Sequence, residues 1–157
     1  MLIALGAYER TLTLCDDCAS VGIANPLIMG WRGPPVRCLA LLGRHEESRE
    51  AAAGLLAVSE EWGTPRAMDR ALRYAASVEP GPDRLEMLGS SVRLLEDTHS
   101  HPERAHSLHA FGAALVAADR PDEAATRLTR RVRPGRLLRR PPSLRWASPP
   151  LPRAAAP

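Results

Sequence analysis

The chain has 157 residues, of which 45% are apolar and only 4% aromatic, so we expect a core of Ala, Leu and Val and consider a β-sandwich unfavourable. The formal net charge of +3 is unevenly placed, because residues 124–157 contain nine Arg and no acidic residue, which leaves residues 1–123 at −6. The basic isoelectric point therefore reflects the C-terminal segment and is poor evidence for a nucleic-acid-binding fold.

Cysteine content and hydropathy bear on the cellular compartment. Three Cys are an odd number, and the apolar N-terminus lacks the basic residues that begin a secretory signal. No apolar run approaches the roughly 20 residues that a membrane-spanning helix needs. We therefore expect a cytoplasmic protein without a disulfide framework.

Hydrophobic periodicity predicts a series of helices along the chain. The first covers residues 2–19, and a loop rich in Gly and Pro, residues 20–35, separates it from a short helix at 36–42. An amphipathic helix follows at 46–62. Its apolar stripe is predicted to consist of Ala51, Leu55, Val58 and Trp62, widened by Ala52 and Leu56.

The next helices begin at capping signals. Thr64 is the predicted N-cap of the fourth helix, Asp83 of the fifth and Ser100 of the sixth, where Glu103 has the spacing of a capping-box partner. A turn at 119–122 precedes the last helix. The residues predicted to be buried in these four helices are Met68, Ala71, Leu72, Ala75, Leu85, Leu88, Val92, Leu95, Ala105, Leu108, Phe111, Gly112, Leu115, Ala118, Ala124, Ala125, Leu128 and Val132.

The helix–turn–helix pattern recurs at a constant interval. The turns lie near Gly43, Gly81 and Asp119, which are 38 residues apart in both steps. Helical hairpins at this period are typical of solenoids, in which each hairpin covers the apolar face of its neighbour. The predicted fold is all-α: stacked antiparallel helical hairpins, a tetratricopeptide-like solenoid, over residues 1–132. Residues 133–157, rich in Arg and Pro, are predicted to form a disordered tail.

Part of the chain resembles a tetratricopeptide unit over residues 105–132. Gly112 stands where two helices approach closely, and Ala124 stands where the helices of one hairpin meet. Arg131 departs from the pattern, since the family prefers Ala there.

A wider set of spaced motifs occupies residues 20–132. These motifs are Asn25-Pro26, Trp31-Arg32, Leu41-Leu42-Gly43-Arg44, Glu60-Glu61-Trp62-Gly63-Thr64-Pro65-Arg66-Ala67, Ala71-Leu72-Arg73, Leu94-Leu95-Glu96, Glu103-Arg104-Ala105 and Phe111-Gly112-Ala113-Ala114-Leu115. In order and spacing they are similar to the C-terminal helical-repeat region of the large ATP-binding LuxR-type transcription regulators.

The resemblance implies a fragment of such a regulator, whose ATPase and helix–turn–helix DNA-binding domains are both missing from this chain. No Gly-x-x-x-x-Gly-Lys-Ser/Thr phosphate loop occurs in the sequence. After Arg131 the pattern changes abruptly to Arg and Pro, and a frameshift or truncation is the simplest cause.

Two groups of residues have the types needed for metal binding. Cys15 and Cys18 form a C-x-x-C half-site, but only Cys38 and His45 are available to complete it, and a core role for cysteines on one helix face is favoured. His99, His101, His106 and His109 lie within eleven residues, and solvent-facing His beside a loop is the favoured interpretation. We expect no metal and no other cofactor.

The predicted function is non-enzymatic: a protein-interaction or signal-sensing module that binds a protein, a peptide or the inducer of the parent regulator. The acidic body favours basic partners. An alternative is a nucleic-acid-associated protein that binds through the Arg-rich tail. The first helix of each hairpin is expected to face the binding groove, which makes the candidate partner-binding residues Arg66, Asp69, Arg70, Arg73, His106, His109 and Ala110.

Overall fold

The computed structural model describes residues 6–22, 25 and 30–129. Within that part of the chain the structure is helical without any strand, which confirms the predicted all-α class. The helices are α1 (Tyr8–Ser20), α2 (Gly33–Leu41), α3 (His45–Trp62), α4 (Pro65–Ala75), α5 (Gly81–Leu94), α6 (His101–Ala117) and α7 (Pro121–Thr129). The predictions for Val132 and for the tail, residues 133–157, lie outside the described residues.

Two of the three predicted N-cap residues, Thr64 and Ser100, directly precede a helix, and only Thr64 makes a side-chain cap bond. Thr64 caps α4, because its hydroxyl oxygen accepts a bond of 3.3 Å from the backbone N–H of Ala67. The capping box at Ser100 is wrong: its side chain makes no cap bond, and Glu103 pairs with Arg66 instead. Asp83 is not a cap either, since α5 begins two residues earlier at Gly81 and Asp83 lies in its first turn.

The three turns predicted at a 38-residue spacing share a left-handed backbone conformation. The φ angles are 77° at Gly43, 69° at Gly81 and 60° at Asp119. Two of the turns also share a hydrogen bond, since the N–H groups of Arg44 and Arg120 each donate to the carbonyl five residues back at 2.9 Å. At Gly43 and Asp119 the left-handed residue follows the last helical turn, where it reverses the chain direction and satisfies a terminal carbonyl of the helix, whereas Gly81 begins α5.

Each helix packs against the next along the chain, and in addition α2 contacts α4 and α4 contacts α6. The described helices after α1 therefore divide into two sets. We call α2, α4 and α6 the A row, since they follow one another in contact, and α3, α5 and α7 the B row. Because consecutive helices alternate between the rows, nearly all packing is local in sequence.

The apolar core consists of two clusters. One joins α2, α3 and α4 around Val36, Leu55 and Ala71. The other joins α5, α6 and α7 around Leu88, Phe111 and Leu115. The partly buried side chain of Met87 packs against both clusters, so the two cores meet where α4 and α5 come together.

The buried face of α3 agrees with the predicted stripe at Ala52 and Leu55 and differs from it at both ends. The stripe consists of Ser48, Ala52, Leu55 and Ser59, whereas Trp62 is 43% exposed. The prediction that Trp62 belongs to the core is therefore wrong. Small hydroxyl side chains occupy both ends of the stripe, and Ser48 donates a 2.6 Å bond to the carbonyl of Val36 on α2, which allows α2 and α3 to approach closely.

Four residues predicted to be buried in α6 and α7 and their turns are exposed: Ala105, Ala118, Ala125 and Leu128. The buried positions of α6 are Ser107, Phe111, Gly112, Ala114 and Leu115. Leu128 lies against Gly112, yet it is 52% exposed because no described helix follows α7 to cover its other side.

The close contact between α2 and α4 can be tested with a pair of Gly→Ala substitutions, one at the contact and one away from it. A Cβ on Gly33 would lie 2.1 Å from the Tyr74 ring, whereas a Cβ on Gly54, inside α3, meets nothing within 4 Å. We expect Gly33→Ala to lower the free energy of unfolding by about 1–3 kcal/mol through overpacking. Gly54→Ala should raise it by about 0.5–1 kcal/mol through helix propensity. Urea unfolding measures both, and equal effects would contradict this packing.

Candidate functional site

A shallow groove of about 230 Å³ crosses the A row. It is lined by Arg37 of α2, Arg73 and Tyr74 of α4, Ser77 just after α4, and Ala110 of α6. Arg73 and Ala110 were predicted from the sequence to face a partner, and the structure brings these two together. The groove combines two guanidinium groups with an aromatic ring and a methyl group, a combination suited to binding and without an obvious catalytic group.

Beneath the groove a buried carboxylate joins α4 to α6. Asp69 is fully buried; its Oδ1 accepts a short hydrogen bond from the Ser107 hydroxyl, and its Oδ2 lies 3.2 Å from a terminal nitrogen of Arg73. The expectation that Asp69 faces a partner is therefore wrong. It anchors the guanidinium of Arg73, which lies between the interior and the groove.

A second ion pair links the same two helices nearer to the start of each. The Nε and one terminal nitrogen of Arg66 lie 2.7 and 2.5 Å from Oε1 of Glu103. Burial raises the pKa of the Glu103 carboxyl. A backbone hydrogen bond, the hydrogen bond and charge of Arg66, and the charge of Arg70 together lower it by more, so the net shift of this pKa is downward. The stabilisation that this pair contributes is present at neutral pH and is lost as the pH falls through the lowered pKa.

The remaining predicted residues lie at the edges of the A row. The guanidinium of Arg70 reaches the turn before α2, where it lies 2.9 Å from the position of a Cβ on Gly30. His106 and His109 are exposed on α6 and do not line the groove. A partner role for Arg66, Arg70 and the two His stays a prediction, whereas Arg73 and Ala110 have a defined place in the groove.

Sequence reasoning missed three groove residues: Arg37, Tyr74 and Ser77. Arg37 lies on a helix of only nine residues, too short for its two faces to be distinguished by periodicity. Tyr74 follows Arg73 directly, and its ring covers Gly33 of α2. The spacing of Gly33 and Tyr74, a glycine and an aromatic in successive A-row helices, was the available signal for this contact.

The cysteines and histidines do not assemble a metal centre in the described residues, where no three His, Cys, Asp or Glu side chains lie together. Cys15 is buried, as predicted for a core cysteine, and Cys18 is partly exposed. Burial, together with Cys18, Cys38 and Asp16, raises the pKa of the Cys15 thiol to about 11. At neutral pH it is therefore a protonated thiol, which is a poor nucleophile and a poor metal ligand.

The pairing of Ser107 with Asp69 also lacks the access that catalysis needs. Both side chains are fully buried, so no substrate reaches the hydroxyl. In the groove itself, the Ser77 hydroxyl donates to the carbonyl of Tyr74 at 2.6 Å, and no His or carboxylate is among the lining residues. The groove therefore contains no nucleophile paired with a base.

The charges of the helices are separated between the two rows. The A row carries five Arg and two carboxylates, a net charge of +3, whereas the B row carries four Arg and nine carboxylates, a net charge of −5. The acidic character of the body therefore belongs to the B row, and the groove lies on the basic side.

Comparison of the chain with protein-family models, with curated proteins and with solved structures found no match. Among the described helices, none has an apolar stretch of the length needed to cross a membrane. A function for this chain is therefore inferred from its residues and their geometry.

The hydrogen bond between Ser107 and Asp69 can be tested with a matched pair of serines. Ser107→Ala removes a donor and leaves a buried carboxylate oxygen unsatisfied, so we expect a loss of about 1–3 kcal/mol in the free energy of unfolding. Ser91 is equally buried, but its hydroxyl donates to the carbonyl of Leu88 in its own helix. Ser91→Ala should change stability by less than about 0.5 kcal/mol. Equal losses in denaturant titrations would refute the special role of Asp69.

Proposed function

We propose that this chain is a non-enzymatic interaction module, a tetratricopeptide-like stack of helical hairpins that binds a protein or peptide partner in the groove of its A row. The single observation that carries the proposal is the row itself: α2, α4 and α6 contact one another in succession and together line one groove. In helical-repeat proteins the surface formed by equivalent helices of successive repeats is the binding surface.

The spacing of the turns supports the repeat interpretation. Residues with a left-handed φ recur at Gly43, Gly81 and Asp119; Gly43 and Asp119 lie just before the B-row helices α3 and α7, and Gly81 is the first residue of the B-row helix α5. Successive helices of the A row contact each other, α2 with α4 and α4 with α6, whereas among the described residues successive helices of the B row make no comparable contacts. A stack in which one row is in contact and the other spread apart curves around the contacting row, and such curvature produces the extended surfaces that solenoids use.

Within this proposal the module belongs to a LuxR-type, ATP-dependent transcription regulator and acts in the cytoplasm, where it receives the signal that controls the regulator. The support is the set of spaced motifs over residues 20–132. Several of them lie in the A row and its turns: Gly43, Thr64-Pro65 and Phe111-Gly112 occupy a left-handed turn, a helix start and a helix contact, respectively.

The link to the regulators can be tested on the DNA that flanks the gene. Translation in all three frames is expected to give a phosphate loop upstream and a helix–turn–helix domain downstream, the latter in a shifted frame if residues 133–157 arise from a frameshift. If neither is encoded in any frame, the regulator assignment is wrong, while the interaction module itself is unaffected.

The interaction role can be tested with a library of random peptides displayed on phage and selected on the folded chain. Ala110 lines the groove and Ala113, on the same helix, is exposed outside it. We expect the selected peptides to lose about tenfold or more in affinity, roughly 1.4 kcal/mol, for Ala110→Tyr, because the ring fills the groove. Ala113→Tyr should leave their affinity unchanged. Failure to select any peptide, or equal binding to both variants in fluorescence anisotropy, would contradict the proposal.

A further inference from the structure

We infer that the groove of the A row binds an acidic segment of a partner protein, with a partner carboxylate held by Arg37. This inference rests on the proposed function and specifies the chemistry of its partner. It reverses the expectation from overall composition, which favoured a basic partner. The net charge of the chain sums the charges of both rows, whereas a partner bound in the groove contacts the A row alone.

Arg37 places a positive charge at the groove. Its side chain is exposed, and no described carboxylate pairs with it, in contrast to Arg66, Arg73, Arg44 and Arg120, each of which has an acidic partner. An exposed guanidinium beside a groove offers several donors in a planar fork that matches a carboxylate. Arg37 is therefore the group that gains most from an acidic ligand.

Arg73 extends the basic surface across the groove. Its side chain is 20% exposed and bonded to Asp69 on one side, while its Nε is buried without a hydrogen-bond partner. The guanidinium is held in place by Asp69, so a ligand does not have to order it on binding.

The apolar lining and the surrounding charge favour a peptide over a nucleic acid. The ring of Tyr74 and the methyl group of Ala110 suit an aliphatic side chain next to the acidic one. The nine carboxylates of the B row repel a long polyanion that extends past the groove, whereas a short acidic segment remains close to the A row.

The test measures fluorescence anisotropy of a short labelled peptide of Glu, Leu and Ala on the full chain, with its Gln counterpart and a single-stranded DNA oligonucleotide as comparisons. Arg37→Glu is paired with Arg49→Glu, the same charge reversal at an exposed site on α3. Circular dichroism verifies that both variants fold.

We expect the Glu peptide to bind about tenfold more tightly than the Gln peptide, and Arg37→Glu to remove about tenfold of that affinity. Arg49→Glu should change it by less than about twofold, as expected for a remote exposed charge. The affinity should also fall as salt is added.

Several results would overturn the inference. These are equal binding of the Gln peptide, equal effects of the two reversals, tighter binding of the oligonucleotide at the groove, and no binding of the Glu peptide up to about 1 mM. A dimer in sedimentation that Arg37→Glu dissociates would identify a second copy as the occupant. Random peptides that respond to Ala110→Tyr but lack acidic residues would reject the acidic chemistry and leave the interaction module intact.

Discussion

The buried carboxylate of Asp69 is the constraint on which the arrangement of the A row depends. The apolar residues form two clusters, one around α2, α3 and α4 and the other around α5, α6 and α7, which also takes in Ala76 just after α4. Asp69 supplies a directional contact between α4 and α6 through Ser107, and Arg66 with Glu103 supplies another. Because a buried charge without partners is strongly unfavourable, a register of α4 against α6 that separates Asp69 from Ser107 is disfavoured.

Small side chains make this close arrangement possible. Ser48, Ser59, Ser91 and Ser107 are fully buried, and Ser48 and Ser107 each form a hydrogen bond to a neighbouring helix. Three of them satisfy their hydroxyl with a carbonyl or carboxylate acceptor. Ala, Ser and Gly therefore occupy the close helix contacts, whereas Leu and Phe lie in the two apolar clusters. This distribution agrees with the low aromatic content of the chain.

The same choice of residues explains how far the sequence predicted the structure. Leu55, Leu88 and Phe111 were identified as core because apolar residues recur at helical spacing, and they are buried. The two ends of the buried face of α3 were missed because they are occupied by Ser48 and Ser59, and an analysis of hydrophobic periodicity counts Ser as polar. Asp69 was assigned to the surface for the same reason. Its burial depends on Ser107, 38 residues away, and no local pattern reveals a partner at that distance. In the groove, Arg73 and Ala110 were found, while Arg37 was missed.

The two ends of the groove differ in charge and polarity, which bears on how the proposed acidic segment would be oriented. At α2, Arg37 presents a whole charge that no described carboxylate offsets, whereas in the middle Asp69 already neutralises part of the charge of Arg73. At α6 the lining is the methyl group of Ala110. A carboxylate therefore gains most at the α2 end, and an apolar side chain gains most at the α6 end. For the acidic segment proposed above, we therefore expect a preferred orientation when acidic and aliphatic residues follow one another, and such directionality would distinguish recognition of a sequence from attraction between net charges.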